Sequence, residues 1–299
     1  MIKRQSNKID LSIIIINYMT YDKTVNTIES IIKYTKKITY EIILVDNGSK
    51  NNDKQLLSSY CKTKPQILFI PSKTNLGFGR GNNLALKYAN GAYICFLNSD
   101  TELTKNSFYE GINYLITHTD VGAIGPRLID INGNLDHGCM RGFPTLRDSL
   151  YYFLKLEKLT GNTKKYGGYK LSYLSEHQVN DVDVISGAFF LTSKFILDKI
   201  GSFDEAFFMY GEDIDLCYRI KQEGYKIIYN PNLGNVIHYK GESGKKRRIK
   251  TLFHFYDAMV IFYKKHYKKH HNSIINIIVY TSIYLMFVVK LFINFFKKG

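Results

Sequence analysis

The sequence predicts an α/β fold: a mostly parallel sheet flanked by helices, followed by a C-terminal helical tail that associates with a membrane. Three observations carry this expectation. Within residues 11–100, four apolar runs alternate with stretches whose apolar residues recur at helical spacing. That alternation is the pattern of a parallel sheet built from right-handed crossovers. The first run, LSIIII, is continuous, as in a strand covered on both faces. The end of the chain changes character, with basic clusters around a long uncharged apolar stretch. The expected organisation is an α/β domain over 1–240 and a basic and apolar helical tail over 241–299.

The elements follow in order. Residues 11–16 form the first predicted strand, ended by Asn17 and Tyr18. Asp22 is the expected N-cap of a helix with Val25, Ile28, Ile31 and Ile32 on one face. A second strand, 41–45, ends in Asp46-Asn47-Gly48-Ser49, and a polar helix with Leu56, Leu57 and Tyr60 comes next. The third strand, 66–70, is closed by Pro71. Asn75-Leu76-Gly77-Phe78-Gly79-Arg80-Gly81 then leads into a helix carrying Leu84, Ala85 and Tyr88. The fourth strand, 92–97, runs into Asn98-Ser99-Asp100. Open α/β sheets place ligands outside the carboxyl ends of their strands, so Asp100 falls at the crevice.

Beyond residue 100 the pattern loosens. A helix is expected over 105–117, a short strand over 121–125 and a hairpin turn at 130–133. Residues 140–180 are polar, rich in Tyr and without a period, which predicts a mobile loop over a site. Residues 181–192 read as a strand interrupted by Ser186-Gly187-Ala188. An aromatic stretch precedes Glu212-Asp213-Ile214-Asp215, which opens a helix with Leu216 and Ile220. Short strands are expected at 225–229 and 236–238.

In the tail, residues 272–289 carry no charge. As a helix they span about 27 Å, just short of a hydrocarbon core of about 30 Å. Basic clusters flank them on both sides, whereas a spanning helix usually has its positive excess on one side. A helix lying in or dipping into an anionic leaflet is the favoured reading. A buried helix packed on the domain and a true single span are the other two.

Lys plus Arg number 41 against 26 Asp plus Glu, a net charge of +15. This excess points to a polyanionic partner: nucleic acid, an anionic membrane surface or a phosphate-bearing substrate. Much of it lies in Lys245-Lys246-Arg247-Arg248 and Lys264-Lys265-His266-Tyr267-Lys268-Lys269, away from the predicted sheet. That placement favours the membrane surface and argues against nucleic acid. The four cysteines form no Cys-x-x-Cys pair, which argues against a zinc site and a disulfide scaffold. The N-terminus MIKRQSNKID is polar, and the apolar residues 13–16 are too short for a signal-peptide core, so the domain is expected in the cytoplasm.

Several polar groups carry chemistry only in combination. Asp46 is either a turn residue or an acceptor for a nucleobase or ribose. The glycines at 77, 79 and 81 do not follow the order of a dinucleotide fingerprint and do not follow the first strand, which counts against a dehydrogenase. A Gly-rich helix start with Arg80 still suits a diphosphate. Glu212, Asp213 and Asp215 lie close together, which raises the pKa of one and suits a general base; solvated acids at a helix start are the plainer reading. His238 gains interest because Asp100 needs a partner to hold a cation.

Taken in order, the motifs ending at Asn17-Tyr18, Asp46-Asn47-Gly48-Ser49, Asn75 to Asn83, Asn98-Ser99-Asp100, Ser186-Gly187-Ala188, Glu212-Asp213-x-Asp215 and His238 resemble family 2 inverting glycosyltransferases with the GT-A fold. The nearest subgroup is the rhamnosyltransferase-like enzymes. The resemblance covers residues 11 to about 240 and implies roles. Asp46, helped by Asn17, would recognise the base of a nucleoside diphosphate sugar. Asn75, Gly79 and Arg80 would lie along the donor. Asn98 and Asp100 match an Asp-x-Asp position, with Asp100 and His238 holding Mg2+ or Mn2+. Asn98 replaces the first Asp, so one anionic ligand is lacking. Asp213 would be the base, and Ser186, Gly187, Ala188, Glu212 and Asp215 would serve the acceptor.

The implied donor is dTDP-rhamnose, with UDP-sugars next. The implied acceptor is polyprenyl-diphosphate-linked or an oligosaccharide, at the cytoplasmic face of the membrane. A nucleotidyltransferase is a rival reading, weakened by the lack of a Gly-rich loop after the first strand. A non-catalytic membrane-binding module is another.

Overall fold

The structure, a computed structural model, describes residues 9–156, 163–239 and 248–296. Lys245, Lys246, Arg247, Lys297, Lys298 and the boundary expected at 240–241 lie outside the described residues.

The first half contains β1 (Leu11–Asn17), α1 (Tyr21–Tyr34), β2 (Tyr40–Asp46), α2 (Asp53–Cys61), β3 (Ile67–Pro71), α3 (Phe78–Leu86) and β4 (Tyr93–Asn98). Next come β5 (Thr101–Leu103), α4 (Ser107–Thr117), β6 (Val121–Gly125), β7 (Arg127–Ile129), α5 (Leu146–Phe153), β8 (Asn180–Val182) and β9 (Phe189–Ser193). The second half continues with α6 (Lys194–Ile200), α7 (Glu212–Gln222), β10 (Lys226–Tyr229), β11 (Asn235–His238), α8 (Arg248–Phe262) and α9 (Ser273–Phe296).

One sheet has the order β3-β2-β1-β4-β9-β6-β10-β8, and a second has the order β5-β11-β7. The expected α/β fold is therefore found. β1 pairs in parallel with β2 and β4, and β10 with β6, while β9 runs antiparallel to both of its neighbours. Ile13, Ile14, Ile15, Ile42, Ile43 and Phe96 are fully buried, which explains the unbroken apolar runs. Each such side chain contributes about 1.5–3 kcal/mol by leaving water. Register matters for function: Asn17 faces Asp46, and Ile16 faces Asn98, so three strand ends finish level.

The structure corrects several local expectations. Thr20, not Asp22, occupies the N-cap of α1, and Asp22 sits in its first turn. Tyr88 lies past the end of α3. Residues 140–180 are not a featureless loop, because they contain α5, capped by Thr145, whose hydroxyl accepts from the Asp148 amide at 3.1 Å. The single strand expected over 181–192 is two. β8 pairs with β10 at the sheet edge, while β9 lies in the middle, between β4 and β6. Ser186, Gly187 and Ala188 make the crossing between them. All four cysteines are free and buried.

The C-terminal segment docks on the α/β body. Ala258 and Phe262 of α8 bury against Phe207. Phe253 and Tyr256 of α8 meet Phe287 of α9, and Tyr263 meets Tyr280, so the two helices run antiparallel. Residues Ser273–Asn294 of α9 are long and apolar enough to cross a membrane, and only 6% of the most apolar window is buried. A core helix would be mostly buried, so this one packs on the body by one face only.

Candidate active site

The carboxyl edge of the sheet opens into a cavity of about 1250 Å³. Drug-sized ligands occupy about 300–1,000 Å³, so this space is large enough for more than one small molecule. The predicted residues divide by whether they reach it.

Asn17 and Asp46 do not. Both are fully buried. The Asn17 amide donates to Asp46 Oδ1 at 2.9 Å, and the Ser49 hydroxyl donates to the same oxygen at 2.6 Å. They fix the strand-end loops, and their neighbours Tyr18 and Asn47 line the cavity instead. Asn75 does line it. Its Oδ1 accepts from the Gly77 amide at 2.9 Å. Gly77 has φ +85°, and a Cβ there would run into the carbonyl oxygen of Phe208. Gly79 faces the other way, against Phe203 and Asp204. Arg80 also points away: its guanidinium donates to the Glu205 carbonyl at 3.2 Å, and its side chain is 56% exposed. Gly77 and Phe78 line the cavity where 79 and 80 were expected to, because α3 turns its second and third residues off it.

Asn98 and Asp100 meet His238 there. β11 pairs with β5 so that His238 faces Thr101. His238 Nε2 lies 3.3 Å from the Asn98 amide and 3.4 Å from Asp100 Oδ1. On its other side Nδ1 lies 2.9 Å from Asp136 Oδ2. Burial disfavours charge on this imidazole, but the two flanking carboxylates outweigh it and push the group up to about 9. An imidazole whose Nδ1 is held by a carboxylate presents Nε2 outward, as metal-bound histidines do. With the Nε2 proton displaced by the cation, this nitrogen and one oxygen of Asp100 would fit a divalent ion that completes its shell from phosphate and water. Among the described residues no group of three or more such side chains forms a self-sufficient metal cluster.

Asp213 holds the other wall. Arg141 Nη2 donates to its Oδ2 at 2.6 Å, and the Gly187 amide donates to the same oxygen at 3.2 Å. Its Oδ1 accepts only the adjacent Ile214 amide among the described contacts, at 2.8 Å. One oxygen is therefore clamped by two donors, while the other keeps a lone pair, and Asp213 lines the cavity. Gly187 approaches closely enough that a Cβ would touch Phe78 at 3.4 Å and Asp213 Cβ at 3.6 Å. Asp136 accepts from the Gly138 amide at 2.7 Å, and the Gly138 carbonyl accepts from Arg141 Nε at 3.1 Å. The 136–141 turn thus ties His238 to Asp213. Sequence reasoning passed over both Asp136 and Arg141.

Glu212 lines the cavity, yet it is 6% exposed and its Oε2 has no hydrogen-bond partner among the described residues. Burial first, then the charge of Asp213, pushes its carboxyl up to about 8. Ser186, Gly187 and Ala188 line the cavity too. Asp215 does not, which corrects the expected acceptor role. It is fully buried and binds Arg219 Nε at 2.9 Å, and Lys265 and His266 each at 2.7 Å. It pins the turn after α8 to α7.

Comparison with known proteins agrees with this geometry. The chain matches the profile of glycosyl transferase family 2 over residues 12–178. It is 30% identical over 207 residues to rhamnosyltransferase WbbL of Escherichia coli, covering 67% of this chain and 73% of that one. It is 29% identical over 223 residues to low-salt glycan biosynthesis hexosyltransferase Agl10 of Haloferax volcanii, covering 73% of this chain and 64% of that relative's length. It is 25% identical over 217 residues to the N-acetylglucosaminyl-diphospho-decaprenol L-rhamnosyltransferase of Mycobacterium tuberculosis, covering 68% and 67%.

Solved structures share the fold. GalNAc-T7 with UDP, GalNAc and Mn2+ aligns with a TM-score of 0.60 at 18% identity, over 80% of this chain and 45% of that one. Mannosyltransferase PcManGT of Pyrobaculum calidifontis with GDP-Man and Mn2+ aligns with a TM-score of 0.59 at 13% identity, over 87% and 66%. The profile spans more than half of the sequence, and the solved structures share the fold; the chain belongs to glycosyl transferase family 2 and has the GT-A fold.

Proposed function

We propose that this glycosyltransferase works with inversion and a divalent cation. It moves a hexosyl group from a nucleoside diphosphate sugar to a hydroxyl of a lipid-linked or growing cell-surface glycan, at the cytoplasmic face of a membrane. One observation carries the reading: a single cavity joins the Asp100–His238 pair to a clamped Asp213 with a free lone pair. The names of the rhamnosyltransferase relatives support dTDP-rhamnose as donor, with UDP-sugars second. The Mycobacterium tuberculosis relative is named for a lipid diphosphate acceptor, which supports that acceptor class here.

The chemistry asks little of the protein beyond placement. The acceptor oxygen bonds to the anomeric carbon as the bond to the diphosphate breaks on the opposite face, so configuration inverts. Asp213 Oδ1 takes the hydroxyl proton. Arg141 and the Gly187 amide hold Oδ2 and so aim the carboxylate. Asp100 and His238 would hold Mg2+ or Mn2+, with Asp136 fixing the imidazole. When bound, that cation offsets the charge developing on the leaving diphosphate. Asn47, Asn75 and the Gly77 backbone border the donor side.

A panel of dTDP- and UDP-sugars, with Mg2+ or Mn2+ and with chelator, tests this. Cation-dependent hydrolysis of one donor, and a transfer product of opposite anomeric configuration by NMR, are expected. A product that retains configuration would rule out Asp213 as the single base.

A further inference from the structure

The cavity that Asp213 lines has apolar walls as well. Leu150 and Phe153 of α5, Met259 of α8, and Val279, Ile283 and Met286 of α9 line it, and we call the part they bound the apolar limb. On α9, Ile275, Val279, Ser282 and Met286 line it at helical spacing. The opposite face of the same helix, with Ile277, Tyr284, Leu285 and Val288, is more than half exposed. A helix apolar on all sides, with one side bare, suits contact with a membrane or a protein partner, and the length and composition of this one suit a membrane. Against a bilayer, the space it walls off would open beside lipid.

Charge points the same way. Lys250 of α8 lines the cavity, and no carboxylate of α8 or α9 among the described residues does. The exposed Lys264, Lys268 and Lys269 follow in the turn between the two helices. One molecule matches a polar end at Asp213, the Lys250 ammonium in the wall and an apolar end at α9: a sugar carried on a lipid diphosphate. A free oligosaccharide has no use for the apolar limb.

We propose that the limb between α5, α8 and α9 receives the polyprenyl chain of such an acceptor, and so delivers its sugar hydroxyl to Asp213. The inference rests on the transferase reading and assigns the acceptor's lipid to a place.

The test uses the full chain in vesicles of phosphatidylcholine and phosphatidylglycerol, photolabelled with farnesyl diphosphate bearing a diazirine. Labelled residues are mapped by mass spectrometry. Labelling of Met259, Val279 and Met286 is expected, with undecaprenyl diphosphate reducing it about tenfold, a difference of about 1.4 kcal/mol. Val279→Trp, which fills the limb, is expected to reduce it comparably. Met259→Gln is a gentler second variant, and each is checked for folding by thermal melting. Label confined to Ile277, Leu285 and Val288, or displaced equally well by phosphatidylglycerol, would overturn the proposal and make this helix an ordinary bilayer contact. Titration of the same sample with UDP and dTDP separates the two readings. Lipid labelling without nucleotide binding would count against the transfer chemistry alone, and nucleotide binding without competed inner-face label against the limb alone.

Discussion

Among the described residues, Asp213 has two donors on one oxygen and only its neighbour's amide on the other, so the proposed base would act through the more open oxygen. Asp213→Asn keeps the shape and removes the basicity. Transfer is expected to fall by about 10³-fold or more, within reach of what general-base catalysis supplies, while calorimetric binding of UDP or dTDP is retained. Near-normal turnover would remove Asp213 as the base. Asp136 acts through His238. Asp136→Asn is expected to weaken Mn2+ binding by about 10–100-fold, read by the Mn2+ electron spin signal in the presence of nucleoside diphosphate. Unchanged Mn2+ affinity would disconnect Asp136 from the cation. Glu212 gives a pH signature. Its carboxyl is raised from 4.5 to about 8 in the folded chain. Between those values the folded state holds a proton that the unfolded state has released, so stability falls as pH rises and then levels off. Glu212→Gln lacks this fall, so the gap in melting temperature between variant and native chain is expected to widen from pH 5 to 8. A constant gap would place no such proton on Glu212. At this scale the placement of Asp100, Asp213 and His238 at one cavity was legible, because each lies at or beside the end of an element within a motif. Arg141 was not: it is an isolated cation in a stretch without a period, and its partner lies 72 residues away.

At the level of elements, the parallel strands could be read because their burial on two faces writes itself as unbroken apolar runs. β5 and β7 span three residues each, too short for any period, and their partner β11 lies more than a hundred residues further on. The segment 181–192 looked like one strand because both halves are apolar, but the Ser186-Gly187-Ala188 break was the sign of a crossing. In α5 the signal was present and passed over: Thr145 and Asp148 stand at capping-box spacing. The loop before α3 has a testable requirement. Gly77 takes a left-handed conformation against the Phe208 carbonyl, which accepts from the Phe78 amide at 2.8 Å. Gly77→Ala strains the backbone and displaces that carbonyl. A loss of about 2 kcal/mol in urea unfolding is expected, together with weaker nucleotide binding. Full stability in the alanine variant would mean that the loop has another conformation open to it.

At the scale of the molecule, two attachments hold the C-terminal helices, and they answer to different forces. α9 presents a bare apolar face, and its 22-residue apolar segment reaches about 33 Å as a helix, enough for a hydrocarbon core. The other attachment is ionic: buried Asp215 on α7 gathers Arg219, Lys265 and His266. The hydrogen bonds and charges of those three overcome the effect of burial and hold its carboxyl down at about 2. Composition showed the net charge of +15, but not that part of the second basic cluster turns inward onto a single carboxylate. Asp215→Asn removes the counter-charge of Arg219, leaves Lys265 with Asp204 alone and takes the carboxylate from His266, a loss of about 3 kcal/mol, the low end for breaking a buried pair. The helices should then loosen from the α/β body without leaving the membrane. Hydrogen exchange should accelerate in α8 and in the turn after it, while flotation with phosphatidylglycerol vesicles should persist through high salt and alkaline carbonate. Apparent KM for a lipid-linked acceptor should rise more than that for the nucleotide sugar if the proposed acceptor limb is the part of the cavity walled by α8 and α9. Release of the variant from vesicles by salt would show instead that the ionic clasp, and not the apolar face of α9, holds the protein at the membrane.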